Sequence, residues 1–411
     1  MAKIVFIMDI EEGHILPSFG LAHSLKNRGH DVSYLSVIDN EPLVKEQGFE
    51  FYPLLENTYP KGFREKLKLM SISPAGKIIK GGIDAKARHI EAITNGSYDS
   101  FFKDLRADVF VISVFLRIDI LLLYYKFNIR PVVITPFLRE PNITLTSECL
   151  ESIQTMPSIE RHMLLECLIS LNDKFTSLAQ IVEPMGEFYE LVLCPQEFEM
   201  ERQTEIANKK YIGPSIRKGK GIRNVHSLYG IPENKKIIYA SMGSQAIRHG
   251  NICNLFFSKM INVMRCPELQ DLHMILSVGQ EYERDKLHHL PSNVTVVGWV
   301  SQLDILEVSS AAVIHGGLGT VKECIYYGVP MLVFPLNYDQ PWNARRVKYH
   351  KLGLVDDIRT VSGTDLKSQI LYLLNNEEIQ SSINRMKTIF REREEAQPGA
   401  DIIENLIKCT T

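Results

Sequence analysis

Apolar residues in this chain gather in short, nearly unbroken runs, separated by stretches in which they recur every three or four positions. The runs lie at 3–10 (KIVFIMDI), 31–37, 108–114 and 131–136, and again at 236–244, 272–279, 293–300, 311–317 and 330–336. A strand covered on both faces reads this way, and such strands belong to parallel sheets. The stretches between them have helical spacing. One is ILPSFGLAHSLKNRG (15–29), with Pro17 near the first turn and Gly29 past the end, as helix termini prefer. Alternation of this kind predicts an α/β protein built from doubly wound units.

The pattern lapses at 211–224, YIGPSIRKGKGIRN, which is rich in Gly, Lys and Arg and has no apolar period. It implies a Rossmann-like domain over 1–214, a linker over 215–222, a second Rossmann-like domain over 223–385, and C-terminal helices over 386–411 that pack back on the first domain. Open parallel sheets bind ligands beyond the carboxyl ends of their strands, so the two domains are expected to face each other across a cleft.

Composition narrows the classes of function. The 411 residues are 45% apolar and 23% charged, with a formal net charge of −3, which speaks against bulk nucleic-acid binding. Seven scattered cysteines include no C-x-x-C pair, so neither a zinc site nor a redox pair is suggested, and a reduced, cytoplasmic setting is expected. Asp9, Glu11 and Glu12 follow the first apolar run at once, unlike a signal peptide. The longest apolar region, VFVISVFLRIDILLLYY, carries Arg117 and Asp119 and reads as a strand running into a helix, not a membrane span.

The candidate chemistry centres on SSAAVIHGGLGTVKECIYYGVPMLVFPL (309–336). A strand stops at His315, three glycines follow within four residues, and a helix begins. Helix N-termini present unpaired N–H groups and a partial positive charge, which suit an anion. The N–H groups of Leu318, Gly319 and Thr320, the Thr320 hydroxyl and His315 would cradle a diphosphate, with Gly317 in the same turn; a turn that merely eases strand–helix packing is the alternative. The neighbours extend the pattern. Trp299 offers a flat face for a base, Gln302 an amide for the nucleoside, and Glu323 a carboxylate for a ribose. Asp339 and Gln340, in NYDQPWNA, suit sugar hydroxyls. Base, ribose, diphosphate and sugar are thus matched in chain order between 299 and 340.

This run resembles the nucleotide-sugar signature of the family 1 glycosyltransferases, the UDP-glycosyltransferase superfamily with the GT-B fold. The likeness extends to GHILPSFGLAHSLKNRGHDVSYL near the start, YIGP before the linker and ASMGS at 240–244, and weakens over roughly 56–100 and 137–190. It implies inverting transfer of a sugar from a nucleoside diphosphate sugar, UDP or TDP, to an acceptor, of the type that glycosylates bacterial natural products such as macrolides and carotenoids. It assigns Ser244, with His315, Gly319 and Thr320, to the diphosphate. It also makes His14, in GHILP, the general base that deprotonates the acceptor hydroxyl. An unperturbed imidazole, with a pKa of about 6.5, suits that role near neutrality.

Members usually pair this base with an aspartate after the fourth strand; here Ser113 occupies that place in ADVFVIS. Asp119, Glu11 or Glu12 could substitute, or His14 could act alone on an acidic phenol. The departure also leaves room for a non-catalytic nucleotide-sugar-binding protein, and the fold for a sugar-nucleotide epimerase. No D-x-D motif occurs, so neither a metal nor a cofactor beyond the substrate nucleotide is expected. Phe63, Met70, Phe115, Leu116, Phe137 and Leu138 are candidates for an apolar acceptor pocket, implying a lipophilic small molecule. The basic, apolar stretch 55–90 reads as a solvated lid or as a peripheral membrane contact. A monomer or homodimer is compatible with all of this.

Overall fold

A computed structural model describes the chain except for residues 72–87, 201–205, 218–220, 223, 244–249, 280–281, 283–286, 288 and 411, and except for the side chains of 68–71 and 410. The chain forms two compact units. The N-terminal unit holds a seven-stranded sheet: β1 (Lys3–Ile7), β2 (Asp31–Ser36), β3 (Glu50–Pro53), β4 (Val109–Ser113), β5 (Val132–Thr135), β6 (Glu190–Val192) and β7 (Lys209–Tyr211), in the order β3-β2-β1-β4-β5-β6-β7. The C-terminal unit holds a six-stranded sheet: β8 (Lys236–Ser241), β9 (Leu272–Ser277), β10 (Val294–Val297), β11 (Ser309–Ile314), β12 (Met331–Val333) and β13 (Gly353–Val355), in the order β10-β9-β8-β11-β12-β13. Every pairing is parallel. In each sheet the first strand lies between the second and the fourth, the doubly wound order.

The unbroken apolar runs have a direct structural reason. Successive residues of a strand point to opposite faces, and both faces of the N-terminal sheet are covered. Ile4 and Phe6 of β1 join one core with Tyr34, Val111 and Ile134. Val5 and Ile7 join the opposite one with Leu35, Ile112 and Val133. Strands β3, β6, β7 and β13 were not anticipated from the pattern. Each is short and carries a charged residue, a proline or a glycine within it (EFYP, ELV, KKY and GLV), whereas β12, equally short, is wholly apolar.

The division between the units departs from the expected one. Residues 194–202 belong to the C-terminal unit, although the expected first domain ran to 214, and the final change comes at 396/397. A boundary at 385/386 would cut the helix Glu377–Ala396. The excursion at 194–202 is held by a buried ion pair: Nε and Nη2 of Arg346 both lie 2.7 Å from Glu199 Oε2. Phe198 stacks against His350 and meets Phe390 edge-on.

The last helix, Pro398–Thr410, belongs to the N-terminal unit. Ala400 and Ile403 join the core of Leu21, Leu25 and Ile212. Arg28 Nη1 reaches Asp401 Oδ1 at 2.5 Å and Glu404 Oε2 at 3.1 Å, and His30 Nε2 meets Glu404 Oε1 at 3.0 Å. These ion pairs are partly solvated and worth little each; the buried apolar face carries the docking. Ile403→Ala should therefore destabilise the protein by about 2–4 kcal/mol, read as a fall in the urea midpoint, whereas Asp401→Ala should cost at most about 1 kcal/mol.

Candidate active site

At the carboxyl end of β1 the chain turns through Asp9, Ile10 and Glu11 into the short helix Glu12–Ile15, which carries His14. Asp9 stands at the centre of this turn. Its Oδ1 accepts from the Glu11 N–H at 3.1 Å and lies 2.7 Å from His14 Nδ1; its Oδ2 accepts from the Ser113 hydroxyl at 2.6 Å. Burial would push the Asp9 carboxyl up, but the hydrogen bond and charge of His14 and the Ser113 hydroxyl together hold it below the usual carboxylate value. An ionised carboxylate only accepts, so the proton sits on Nδ1 and the Nε2 lone pair is left to act as a base. Phe115 stacks flat on the imidazole, ring centroids 3.6 Å apart and planes 9° apart.

Ser113, expected opposite His14, instead bonds Asp9. The carboxylate missing at position 113 comes from the turn after β1, five residues before the histidine. Glu12 pairs with Arg64 and Asp119 with His89, so neither is the partner. The D-x-x-x-x-H spacing from Asp9 to His14 was the available signal, but a loop of that length can place a carboxylate anywhere.

Among the residues expected to form an acceptor pocket, Phe115 and Phe137 lie 5.3 Å apart. Leu116 and Phe137 pack on the core beneath them, and Leu138 is buried. Phe63 meets Tyr59 edge-on at 5.1 Å. The Met70 side chain, and residues 72–87 of the basic stretch 55–90, lie outside the described residues.

In the C-terminal unit, β11 ends at Ile314, and His315, Gly316 and Gly317 lead into the helix Leu318–Tyr327. Two glycines make room for the imidazole. A Cβ on Gly243 would lie 2.4 Å from His315 Cε1, and one on Gly317 would lie 2.7 Å from Nε2. Gly243 also has φ of +77°, which side chains disfavour. Gly319 differs: it is exposed and faces open space, so neither folding nor packing requires a glycine there.

Gln302 and Glu323, expected at the nucleoside and the ribose, are brought together. Gln302 Oε1 accepts from the Tyr239 hydroxyl at 2.8 Å, while its Nε2 faces Thr320 Oγ1 at 3.3 Å and donates to Glu323 Oε2. Burial pushes the Glu323 carboxyl up, opposed by Arg217, Gln302 and Lys322. Trp299 is 50% exposed, a face open to stacking.

The Asp339 carboxylate accepts from Asn343 Nδ2 at 2.8 Å and from the Leu318 N–H. The Leu318 N–H, expected to point at a diphosphate, is thus engaged within the unit. Asn343 also donates to the Gly316 carbonyl at 3.0 Å, tying the helix Gln340–Tyr349 to the glycine turn. Gln340 is buried, and its Oε1 accepts from the N–H groups of Leu336 and Asn337. Ser244 lies outside the described residues.

Residues 277–398 match the family described as UDP-glucoronosyl and UDP-glucosyl transferase. That span holds Trp299, Gln302, the glycine turn, Glu323 and Asp339. This match supports the resemblance to the family 1 glycosyltransferases. It is 24% identical over 399 residues to NDP-glycosyltransferase YjiC of Bacillus subtilis (strain 168), covering 96% of this chain and 95% of that one. It is 25% identical over 419 residues to zeaxanthin glucosyltransferase of Pantoea ananas, covering 97% and 94%. Its two parallel-sheet units are those of the GT-B fold. The crystal structure of the glycotransferase of kitacinnamycin superposes with a TM-score of 0.76 at 23% identity, over 99% of each chain.

The glycine geometry separates two roles within this glycosyltransferase. Gly243→Ala should displace His315 and lower the melting temperature. Gly319→Ala should leave the melting temperature unchanged or slightly raised, since alanine favours a helix over glycine by about 1 kcal/mol. If the open space before Gly319 receives a diphosphate, calorimetry should show weaker UDP or TDP binding by this variant; an unaltered affinity would exclude close backbone approach there.

Proposed function

We propose that this glycosyltransferase moves a sugar, with inversion, from a nucleoside diphosphate sugar to a hydroxyl of a lipophilic small molecule, with His14 as general base. UDP is the favoured nucleotide and TDP the alternative, since Trp299 would stack on uracil or thymine alike. The observation that carries the reading is the Asp9–His14 pair. A carboxylate on Nδ1 orients the ring and stabilises its charged form as it takes the acceptor proton. The non-catalytic alternative rested on the serine at 113, and Asp9 removes that ground. An apolar acceptor is supported by Phe115 on the base with Phe137 behind it, and by the relative named zeaxanthin glucosyltransferase.

On the donor side, Trp299, Gln302 and Glu323 would hold the nucleoside. His315, Gly319, Thr320 and Ser244 would hold the diphosphate, and Asp339 and Gln340 the sugar, Gln340 through its side-chain amide nitrogen. The leaving diphosphate gains charge in the transition state. The N-terminus of the helix Leu318–Tyr327 and His315 offer electrostatic stabilisation there, so no divalent cation is assigned a role.

Incubation with UDP- and TDP-sugars and a panel of alcohols and phenols, read by mass spectrometry, should yield glycosides. With alcohols, His14→Ala should cut kcat by about 10²–10⁴-fold; with an acidic phenol, already partly ionised, the loss should be smaller. Asp9→Asn should lower kcat, because the ring loses the carboxylate that orients it. A fully active His14→Ala enzyme would remove His14 from the mechanism.

Turnover should also survive EDTA. Loss on chelation with recovery on adding magnesium would show that the helix N-terminus does not suffice for the leaving group.

A further inference from the structure

Arg64 lies in the first turn of the helix Phe63–Ser71, yet its side chain is spent on the loop that carries the base. Nε donates to the Ile10 carbonyl at 3.0 Å, Nη1 to Glu12 Oε1 at 2.7 Å, and Nη2 to Asn40 Oδ1. Asn40 is buried, and its Nδ2 donates to the Asp9 carbonyl at 2.8 Å and to Ser36 Oγ at 2.8 Å. All three arms of one guanidinium therefore end on the segment between Asp9 and His14, directly or through Asn40. The helix is held at its own start by Asp39, whose two oxygens accept from the N–H groups of Gly62 at 2.6 Å and Arg64 at 2.7 Å.

We propose that Arg64 is a positioning residue that couples the acceptor-side helix Phe63–Ser71 to the His14 base. The inference rests on His14 being that base. The planar fork fixes three directions at once, which a lysine cannot do. A surface arginine that served only solubility would leave these three acceptors to water. Here the guanidinium is largely buried, its side chain 13% exposed, and it closes the loop whose geometry sets the distance from Nε2 to the acceptor oxygen. Phe63 is the neighbouring residue on the same helix, so an acceptor seated against its ring presses on the element that Arg64 ties to the base. Proton abstraction tolerates little displacement, since a shift of about 1 Å can cost on the order of 10²-fold in rate.

The test compares Arg64→Ala and Arg64→Lys with His14→Ala and the double variant, using an aliphatic alcohol acceptor. Arg64→Ala should lower kcat by about 10–100-fold with the KM for the nucleotide-sugar unchanged. Arg64→Lys, which keeps the charge and loses the fork, should fall between it and the parent; it carries the test if the alanine variant does not fold. In the His14→Ala background, the Arg64 substitution should cost nothing further, because its effect passes through the imidazole. A parental kcat for Arg64→Ala, an equal loss with and without His14, or a rise in acceptor KM alone would each overturn the inference while leaving His14 as the base. A fully active His14→Ala enzyme would instead remove the base reading, and the inference with it.

Discussion

Each sheet places its first strand between its second and its fourth, and this reversal of strand order governs everything functional in the molecule. The segments that leave β1 and β4 have neighbours on opposite sides, so the carboxyl ends of the two strands share a gap that neither connection fills. In the N-terminal unit that gap receives Asp9 and His14 from β1 and Ser113 from β4. In the C-terminal unit the equivalent gap, after β8 and β11, receives Gly243 and His315. Both histidines stand where a parallel sheet leaves room for a ligand.

Inside the first gap a carboxylate is surrounded by donors before any substrate arrives. Its oxygens accept from the Glu11 N–H, the His14 ring and the Ser113 hydroxyl, which offsets the cost of burying a charge. Ser113, at the end of β4, thus supports a carboxylate that stands in the turn after β1.

In the second gap, space is the limiting quantity. His315 sits against two glycines that follow different strands, and a methyl group on either would collide with the ring. The glycine-rich turn thus has two separate causes. Gly243 and Gly317 admit the histidine, whereas Gly319 leaves an open approach to the helix N-terminus. Asp339, placed at that N-terminus by Asn343, contributes a carboxylate that burial pushes towards its neutral form, a sensitive counterpart to any anion bound nearby.

What the sequence alone determined is what depends on local order. The longer buried strands, the Pro17-initiated helix, the turn from His315 into its helix and the chain-order run from Trp299 to Gln340 are all carried by neighbouring residues, and periodicity and motif spacing record them. The tertiary structure decided what depends on distant residues meeting. Strands of three or four residues form because a ladder is already present to pair with. Residues 194–202 join the C-terminal unit because Arg346, far along the chain, closes on Glu199. Asp9 becomes the partner of His14 because β4 brings the Ser113 hydroxyl to its other oxygen and Asn40 holds its carbonyl. An acidic residue in a loop has no period and no fixed direction, so its role appears only when folding brings its neighbours within hydrogen-bond reach.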